Sequence, residues 1–293
     1  MEWLQRMNDA VDLIESNLDN SLDIEQIAKT ACSSPFHFQR MFHMVTGMTI
    51  AEYTRRRRLT LAAQELSMTG SVRVIDVALK YGYDSPESFS KAFRKLHGIT
   101  PSEARRSGMN LKAFPRLSLQ LTIKGDKEID YRIVEKEPYT VIGRTIQLHC
   151  EEEEPSRRTF WRTCRQDGSL ALLDSWGSDE NLLGITMDIE GSYFTYLIAK
   201  RMPVPAVNTE AVLFSTYVVP GSTWAVFLSQ GPLPDAITGL FQQIYQEWFP
   251  ATGYEHTGGP EIEVYLPGDP SAEDYRCEVW IPVSKGYVPQ KVR

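Results

Sequence analysis

Residues 78–105, ALKYGYDSPESFSKAFRKLHGITPSEAR, carry the punctuation of short, closely spaced helices. Ser85-Pro86 sets a hydroxyl cap before a proline whose missing N–H costs nothing at a first helical position. Thr100-Pro101 repeats the device, with Glu103 completing a capping box. Between them Phe89, Phe93 and Leu96 form an apolar stripe, and Ala78 is the small residue needed where one helix crosses close to another. The stretch therefore reads as helix, tight turn, helix, with the polar face of the second helix left free.

Working outward, the same unit occurs upstream at a period of about 50 residues. Ile27-Ala28 recurs as Val77-Ala78. One residue later in register, Ser34-Pro35, Phe38, Arg40, Phe42 and Gly47 recur as Ser85-Pro86, Phe89, Lys91, Phe93 and Gly98. Leu22 to Ile27 supplies an N-cap at Asp23, a capping-box Gln26 and a Leu22/Ile27 staple. Ile50 to Leu66, with Arg55 to Arg58, reads as one helix connecting the two copies.

Charge divides the chain. Residues 1–108 hold 14 Lys/Arg and 13 Asp/Glu, whereas residues 109–293 hold 17 and 25. Within the first part, residues 40–106 carry 12 basic and 6 acidic side chains, a surface suited to a polyanion, which the acidic remainder would repel. No run of eighteen apolar residues occurs and the acidic, amphipathic start is unlike a secretion signal, so a cytoplasmic location without a membrane partner is expected. Cys32, Cys150, Cys164 and Cys277 lack C-x-x-C spacing and nearby histidines, which points to reduced, packed thiols.

Residues 1–108 resemble the AraC/XylS family of regulators, with ALKYGYDSPESFSKAFRKLHGITPSEAR close to the family signature. The resemblance implies an all-α double helix-turn-helix domain that places both second helices in adjacent major-groove segments of double-stranded DNA. Two helices joined by one rigid helix suit grooves about 10 bp, roughly 34 Å, apart without a dimer. The candidates for base contact are Ser33, Phe36, Gln39 and Arg40 in the first second-helix and Glu87, Ser88 and Lys91 in the other; Gln and Arg suit bidentate bonding to adenine and guanine edges. Gln39 and Arg40 match family contact positions. Pro35, Pro86 and Glu87 depart from the polar or basic residues common there. Arg55 to Arg58, Arg94 and Lys95 are expected on phosphates or in ion pairs along the helix.

From about residue 130 the pattern turns to strands at Tyr131–Val134, Thr140–Leu148, Leu182–Ile189, Tyr193–Ala199, Phe214–Val219, Thr223–Ser229, Glu261–Leu266 and Tyr275–Val283, with helices near Ser156–Cys164 and Pro234–Trp248. This gives an α+β domain, residues 130–293, of duplicated strand-helix-strand-strand units forming a ligand cup, behind a linker at 109–129. STYVVPGSTWAVF, IYQEWFPATGYEHTGGPEIEVY and YRCEVWIPV are similar to the GyrI-like effector-binding domains, also called SOUL-like or multidrug-sensing modules.

Strand alternation puts Cys277, Val279, Ile281 and Val283 on one face, expected against helices, and Glu278 with Trp280 on the other; Ile262, Val264 and Leu266 likewise oppose Glu261, Glu263 and Tyr265. Acids beside aromatics suit a lipophilic cation, since each ring adds about 0.5–2 kcal/mol of cation-π attraction. The resemblance gives the charge-reading role to Glu278 on the last strand, with walls from Trp280, Tyr265, Trp176, Tyr193, Tyr217 and Trp224, and Glu263 as a structural or supporting acid. The alternative for Glu278 and Trp280 is an idle solvated sheet face.

The function expected is therefore a transcription regulator, an activator by preference, controlled by a small organic effector, a cation on the acid-aromatic reading, and working with RNA polymerase. No catalytic residue, cofactor or metal site is expected: Glu151 to Glu154 read as a helix cap, and no Ser/His/Asp set, phosphate loop or HExxH pattern occurs. The rival readings are a hydrolase using Glu278 or Glu263 to activate water, and a module that sequesters a protein.

Overall fold

The structure, a computed structural model, describes residues 2–68, 72–106, 108–119, 128–149, 153–176, 181–190, 193–202 and 213–285. Packing divides the chain into two compact units, residues 1–35 with 46–122, and residues 36–45 with 123–293.

The first unit holds α1 (Glu2–Ser16) and α2 (Ile24–Thr30), then, beyond α3 (Pro35–Thr46), α4 (Ile50–Met68), α5 (Val74–Lys80) and α6 (Pro86–His97). The sequence punctuation is realised: Asp23 caps α2 by accepting from the Gln26 N–H at 3.1 Å, and Ser85 caps α6 by accepting from the Ser88 N–H at 3.2 Å. Gly98 ends α6 at a φ of +80°, a left-handed conformation that glycine adopts without Cβ strain. Thr100 and Glu103 exchange the reciprocal bonds of a capping box. Leu59, Ala62, Ala63 and Leu66 of α4 pack with Val77, Ala78, Phe89 and Phe93 into one core, so the second helix-turn-helix is built on the long connecting helix.

Three of the four arginines of α4 are engaged within the unit, one along the helix and two toward α1 and the turn after it. Arg57 pairs with Glu15 at 2.8 Å, Arg58 donates to the Leu18 carbonyl at 2.7 Å, and Arg56 pairs with Glu52. Only Arg55 among them is exposed. Part of the expected linker is tied down as well: the N–H groups of Phe114, Leu117 and Leu119 donate to Thr60, Tyr53 and Asn8 at 2.9–3.1 Å.

The second unit is an antiparallel sheet of β1 (Tyr131–Lys136), β2 (Tyr139–His149), β3 (Leu182–Glu190), β4 (Tyr193–Arg201), β5 (Ser215–Val219), β6 (Ser222–Gln230), β8 (Glu261–Tyr265) and β9 (Arg276–Lys285), with β7 (Tyr254–His256) paired to β9. The strand order β1-β6-β9-β8-β3-β4-β2-β5 reads the same way from either end under the duplication. The units β2-helix-β3-β4 and β6-helix-β8-β9 meet at the central β8·β3 pair, where Gly184 lies opposite Glu263. The crossover helices are α7 (Glu153–Gln166) with α8 (Ser169–Trp176), and α9 (Asp235–Gln243) continued by a π turn at Ile244–Trp248 and α10 (Phe249–Thr252). The short α8 and β7 are additions to the sequence expectation.

Two apolar cores lie on opposite faces of the sheet. Phe160 and Cys164 of α7 and Leu173 of α8 pack on Ile142, Leu148, Phe194, Tyr196 and Ile198, which defines the helix side. The other side buries Val141, Leu183, Ile185, Leu197, Trp224, Val226, Ile262 and Val264, with Trp280 and Tyr139 half-buried at its margin.

Candidate functional site

The polar face of α6 is presented as expected. Phe89 and Phe93 are buried, and Glu87, Ser88, Lys91, Arg94 and Lys95 are exposed on the remaining surface. The spacing 87, 88, 91, 94 and 95 places these side chains on one helical stripe.

On α3 the expectation of an exposed Gln39-Arg40 pair is only half met. Gln39 and Ser33 are partly accessible, and the side chain of Phe36 lies outside the described residues. Arg40 is 5% exposed. Its Nε lies 2.7 Å from Glu261 Oε2, with both side chains buried, and its guanidinium sits 4.8 Å from the centre of the Phe241 ring. The reason is electrostatic: an enclosed carboxylate on β8 needs a counter-charge, and the arginine supplies it. Tyr245 Oη donates to Glu261 Oε1, and His256 Nε2 lies 3.5 Å from the same oxygen. Burial pushes the Glu261 carboxyl up, but Arg40, with His256 and Tyr245, outweighs it and holds the group well below the usual carboxylate range. His37 stacks on His256 with ring centres 3.8 Å apart, and burial, with the charge of its neighbours, keeps it neutral far below its ordinary value.

His37, His256 and Glu261 bring potential ligand atoms within 4.8 Å of one another. The rings, however, are stacked with planes 22° apart, and the carboxylate already carries Arg40. With Arg40 on the carboxylate and His256 beside it, the cluster forms an ion-pair network in this geometry.

Pairing register separates the acids that alternation had suggested as one group. Val264 lies opposite Glu278 and Ile262 opposite Trp280, so Glu278 and Trp280 share the apolar side of β8; Glu263 lies opposite Val279 and Tyr265 opposite Cys277, on the helix side. The expected single ring of Glu278, Trp280, Tyr265 and Glu263 is thus two sites on opposite faces.

On the first face, Glu278 accepts from Arg132 at 2.7 Å and from Trp280 Nε1 at 2.8 Å, and Lys136 Nζ lies 5.7 Å from the centre of the Trp280 ring. An adjoining open cavity of about 470 Å³ is lined by Lys136, Tyr139, Leu183, Arg201, Val264 and Trp280 among others. Trp224 is fully buried beside Trp280 in the core, and Tyr217 is half-buried against the same cluster.

On the helix side, Glu263 is 2% exposed. Its Oε1 accepts from Arg157 Nη1 at 2.7 Å; its Oε2 accepts from Tyr265 Oη at 2.5 Å and Tyr196 Oη at 3.0 Å. Arg157 lies 4.6 Å over the Tyr196 ring, Trp161 Nε1 donates to Tyr196 Oη at 3.1 Å, and Trp161 meets Tyr265 edge-on. Arg157, Phe160, Trp161 and Cys164 share the inward stripe of α7. A Cβ at Gly184 would lie 2.3 Å from Tyr196 Oη and 2.7 Å from Glu263 Oε2, so glycine is what admits this contact. Burial raises the Tyr265 and Tyr196 hydroxyls, with Glu263 adding to it, so both stay protonated donors. Trp176 packs on Phe214 at the margin of the helix-side core that contains Tyr196, and Tyr193 is 53% exposed beside His149. Arg157 and Trp161 were missed by sequence reasoning; the only available signal was their shared stripe on a helix with a mostly charged remainder.

A helix-turn-helix with a free basic stripe, joined in one chain to a duplicated α+β unit that encloses acid-aromatic sites, defines a ligand-responsive DNA-binding regulator. The chain belongs to the AraC-type regulators that carry a GyrI-like domain: residues 27–107 match the helix-turn-helix domain and residues 129–284 match the GyrI-like small molecule binding domain. It is 28% identical over 289 residues to the transcriptional regulator Rob of Salmonella typhimurium, covering 93% of this chain and 96% of that one. The HTH-type transcriptional activator AarP of Providencia stuartii is 47% identical over 94 residues, 32% of this chain and 69% of its own length. The solved structure of SAV2435 bound to tetraphenylphosphonium is similar over 53% of this chain and 94% of that one, at 21% identity and a TM-score of 0.48.

Proposed function

We propose that this protein is a one-component transcription regulator that reads double-stranded DNA through its helix-turn-helix region and responds to a small organic effector held by the GyrI-like domain. The observation that carries the DNA half is the exposed stripe of Glu87, Ser88, Lys91 and Arg94 on an α6 fixed by buried Phe89 and Phe93. Lys91 and Arg94 supply the base and phosphate contacts of one major-groove segment. Gln39, Ser33 and Phe36 supply those of the adjacent segment, and Arg40 joins them once its pair with Glu261 opens. Selection from a random duplex pool tests this: Lys91→Ala with Arg94→Ala is expected to abolish enrichment of the sequence selected by the native chain, and undiminished enrichment would refute the assignment.

The Glu263 site is the favoured effector position, because it combines a buried carboxylate with three aromatic side chains. A hydrolytic role is disfavoured by hydrogen bonding: Glu263 accepts from Arg157, Tyr265 and Tyr196, and Glu278 from Arg132 and Trp280, so each carboxylate is already engaged by cationic or N–H and O–H donors that weaken it as a base toward water. The protein accordingly acts by binding, in the cytoplasm, as an activator that engages RNA polymerase, in keeping with relatives named as activators such as AarP.

A further inference from the structure

Resting on the effector reading of the second unit, we infer that Arg157 is a built-in, displaceable occupant of the Glu263 site, and that the effector it stands in for is a flat nitrogen cation bearing N–H donors, of the aryl-amidine or guanidine class.

The site has the parts of a cation receptor. A carboxylate sits on the central strand, one oxygen fixed by two tyrosine hydroxyls and the other turned to the incoming charge. The Tyr196 ring offers its face to that charge, and Trp161 closes the side by holding Tyr196 and meeting Tyr265. A guanidinium is planar and donates along its edge, so one group can bond Glu263 Oε1 while lying over a ring. The chain's own guanidinium already does both, at 2.7 Å and 4.6 Å.

Two features make Arg157 an occupant that can leave. It comes from a crossover helix 106 residues away in sequence, and its side chain is 12% exposed against 3% for Glu263, so the cation has a route to water that the acid lacks. An arginine can swing outward on its apolar stem and be solvated; the enclosed carboxylate cannot, and demands a replacement cation when Arg157 departs. That requirement selects for positive charge. The one oxygen that takes its charge-assisted bond from Arg157, set beside a ring, selects for an N–H donor on a flat group over a quaternary cation, which cannot bond Oε1. Because the tethered arginine competes at high effective concentration, the apparent affinity of any such ligand is reduced by the fraction of time the site is filled.

The test is calorimetric titration of the full chain with benzamidine and, separately, tetraphenylphosphonium, using the native protein, Arg157→Met, and Arg157→Met combined with Glu263→Gln, each checked for cooperative unfolding. Methionine keeps the apolar stem but leaves Glu263 without its counter-charge, so Arg157→Met is expected to be less stable than the native chain; the double variant leaves no unpaired buried charge and serves as the folding control. Benzamidine is expected to bind Arg157→Met at least tenfold more tightly than the native chain and to lose that gain in the double variant, with tetraphenylphosphonium gaining less. Equal or weaker benzamidine binding in Arg157→Met, retention of the gain without Glu263, or a larger gain for tetraphenylphosphonium would overturn the inference. If amidines fail while another compound alters DNA occupancy, the effector reading stands and only this assignment of its chemistry falls.

Discussion

Replacing Glu261 by glutamine removes the counter-charge of an arginine that has no exposed route to water. Arg40 and Glu261 are each 3% exposed in their side chains and 2.7 Å apart, and the oxygens of Glu261 also serve Tyr245 and His256. Breaking one partner of such a buried pair costs about 3–5 kcal/mol, mostly the penalty of an uncompensated charge. In a unit of this size, where 1 kcal/mol moves the midpoint by about 2–4 °C, the melting temperature should fall by roughly 6–20 °C. Urea unfolding followed by tryptophan fluorescence reports on the unit directly, since Trp248 packs edge-on against Phe227 in its core. The companion variant, Arg40→Met with Glu261→Leu, replaces both charges by apolar groups and should recover most of the loss. A loss below about 1 kcal/mol in Glu261→Gln, or a double variant no better than the single one, would refute the view that this pair is a mutually dependent buried unit.

Further expectations follow from the same geometry. His37 is held neutral in the folded chain, so its contribution to stability is present above its ordinary value of 6.5 and is lost as pH falls below it; stability should drop with a slope approaching about 1.4 kcal/mol per pH unit, steepened below about pH 4.5, where Glu261 takes up a proton in the unfolded chain but not in the folded one, and a flat profile from pH 7.5 to 5.5 would contradict it. Gly184→Ala forces a methyl into Tyr196 Oη and Glu263 Oε2 and should cost about 1–3 kcal/mol by chemical denaturation, as overpacking does. Glu278→Gln should change stability by less than about 1 kcal/mol, because Arg132 is 53% exposed, and should leave the response to cations in a thermal-shift titration unchanged; loss of that response would move the effector site to the Trp280 face.

Local chemistry was legible in the chain because it acts over a few residues. The caps at Asp23, Ser85 and Thr100, the 50-residue repeat, and the inward stripe of Phe89 and Phe93 are set by backbone donors and helical periodicity, and the helices formed there. Alternation correctly placed Cys277, Val279 and Ile281 toward the helices and opposed Ile262 and Val264 to Glu261, Glu263 and Tyr265. What alternation could not supply is which face of one strand continues onto the next, since a shift of one residue in register exchanges the faces. The register of β8 on β9 decided that Glu263 and Glu278 lie on opposite sides. Tertiary structure alone also brought Arg157 to Glu263 and Arg40 to Glu261, because an enclosed carboxylate recruits whichever cation the fold delivers, irrespective of its distance along the chain.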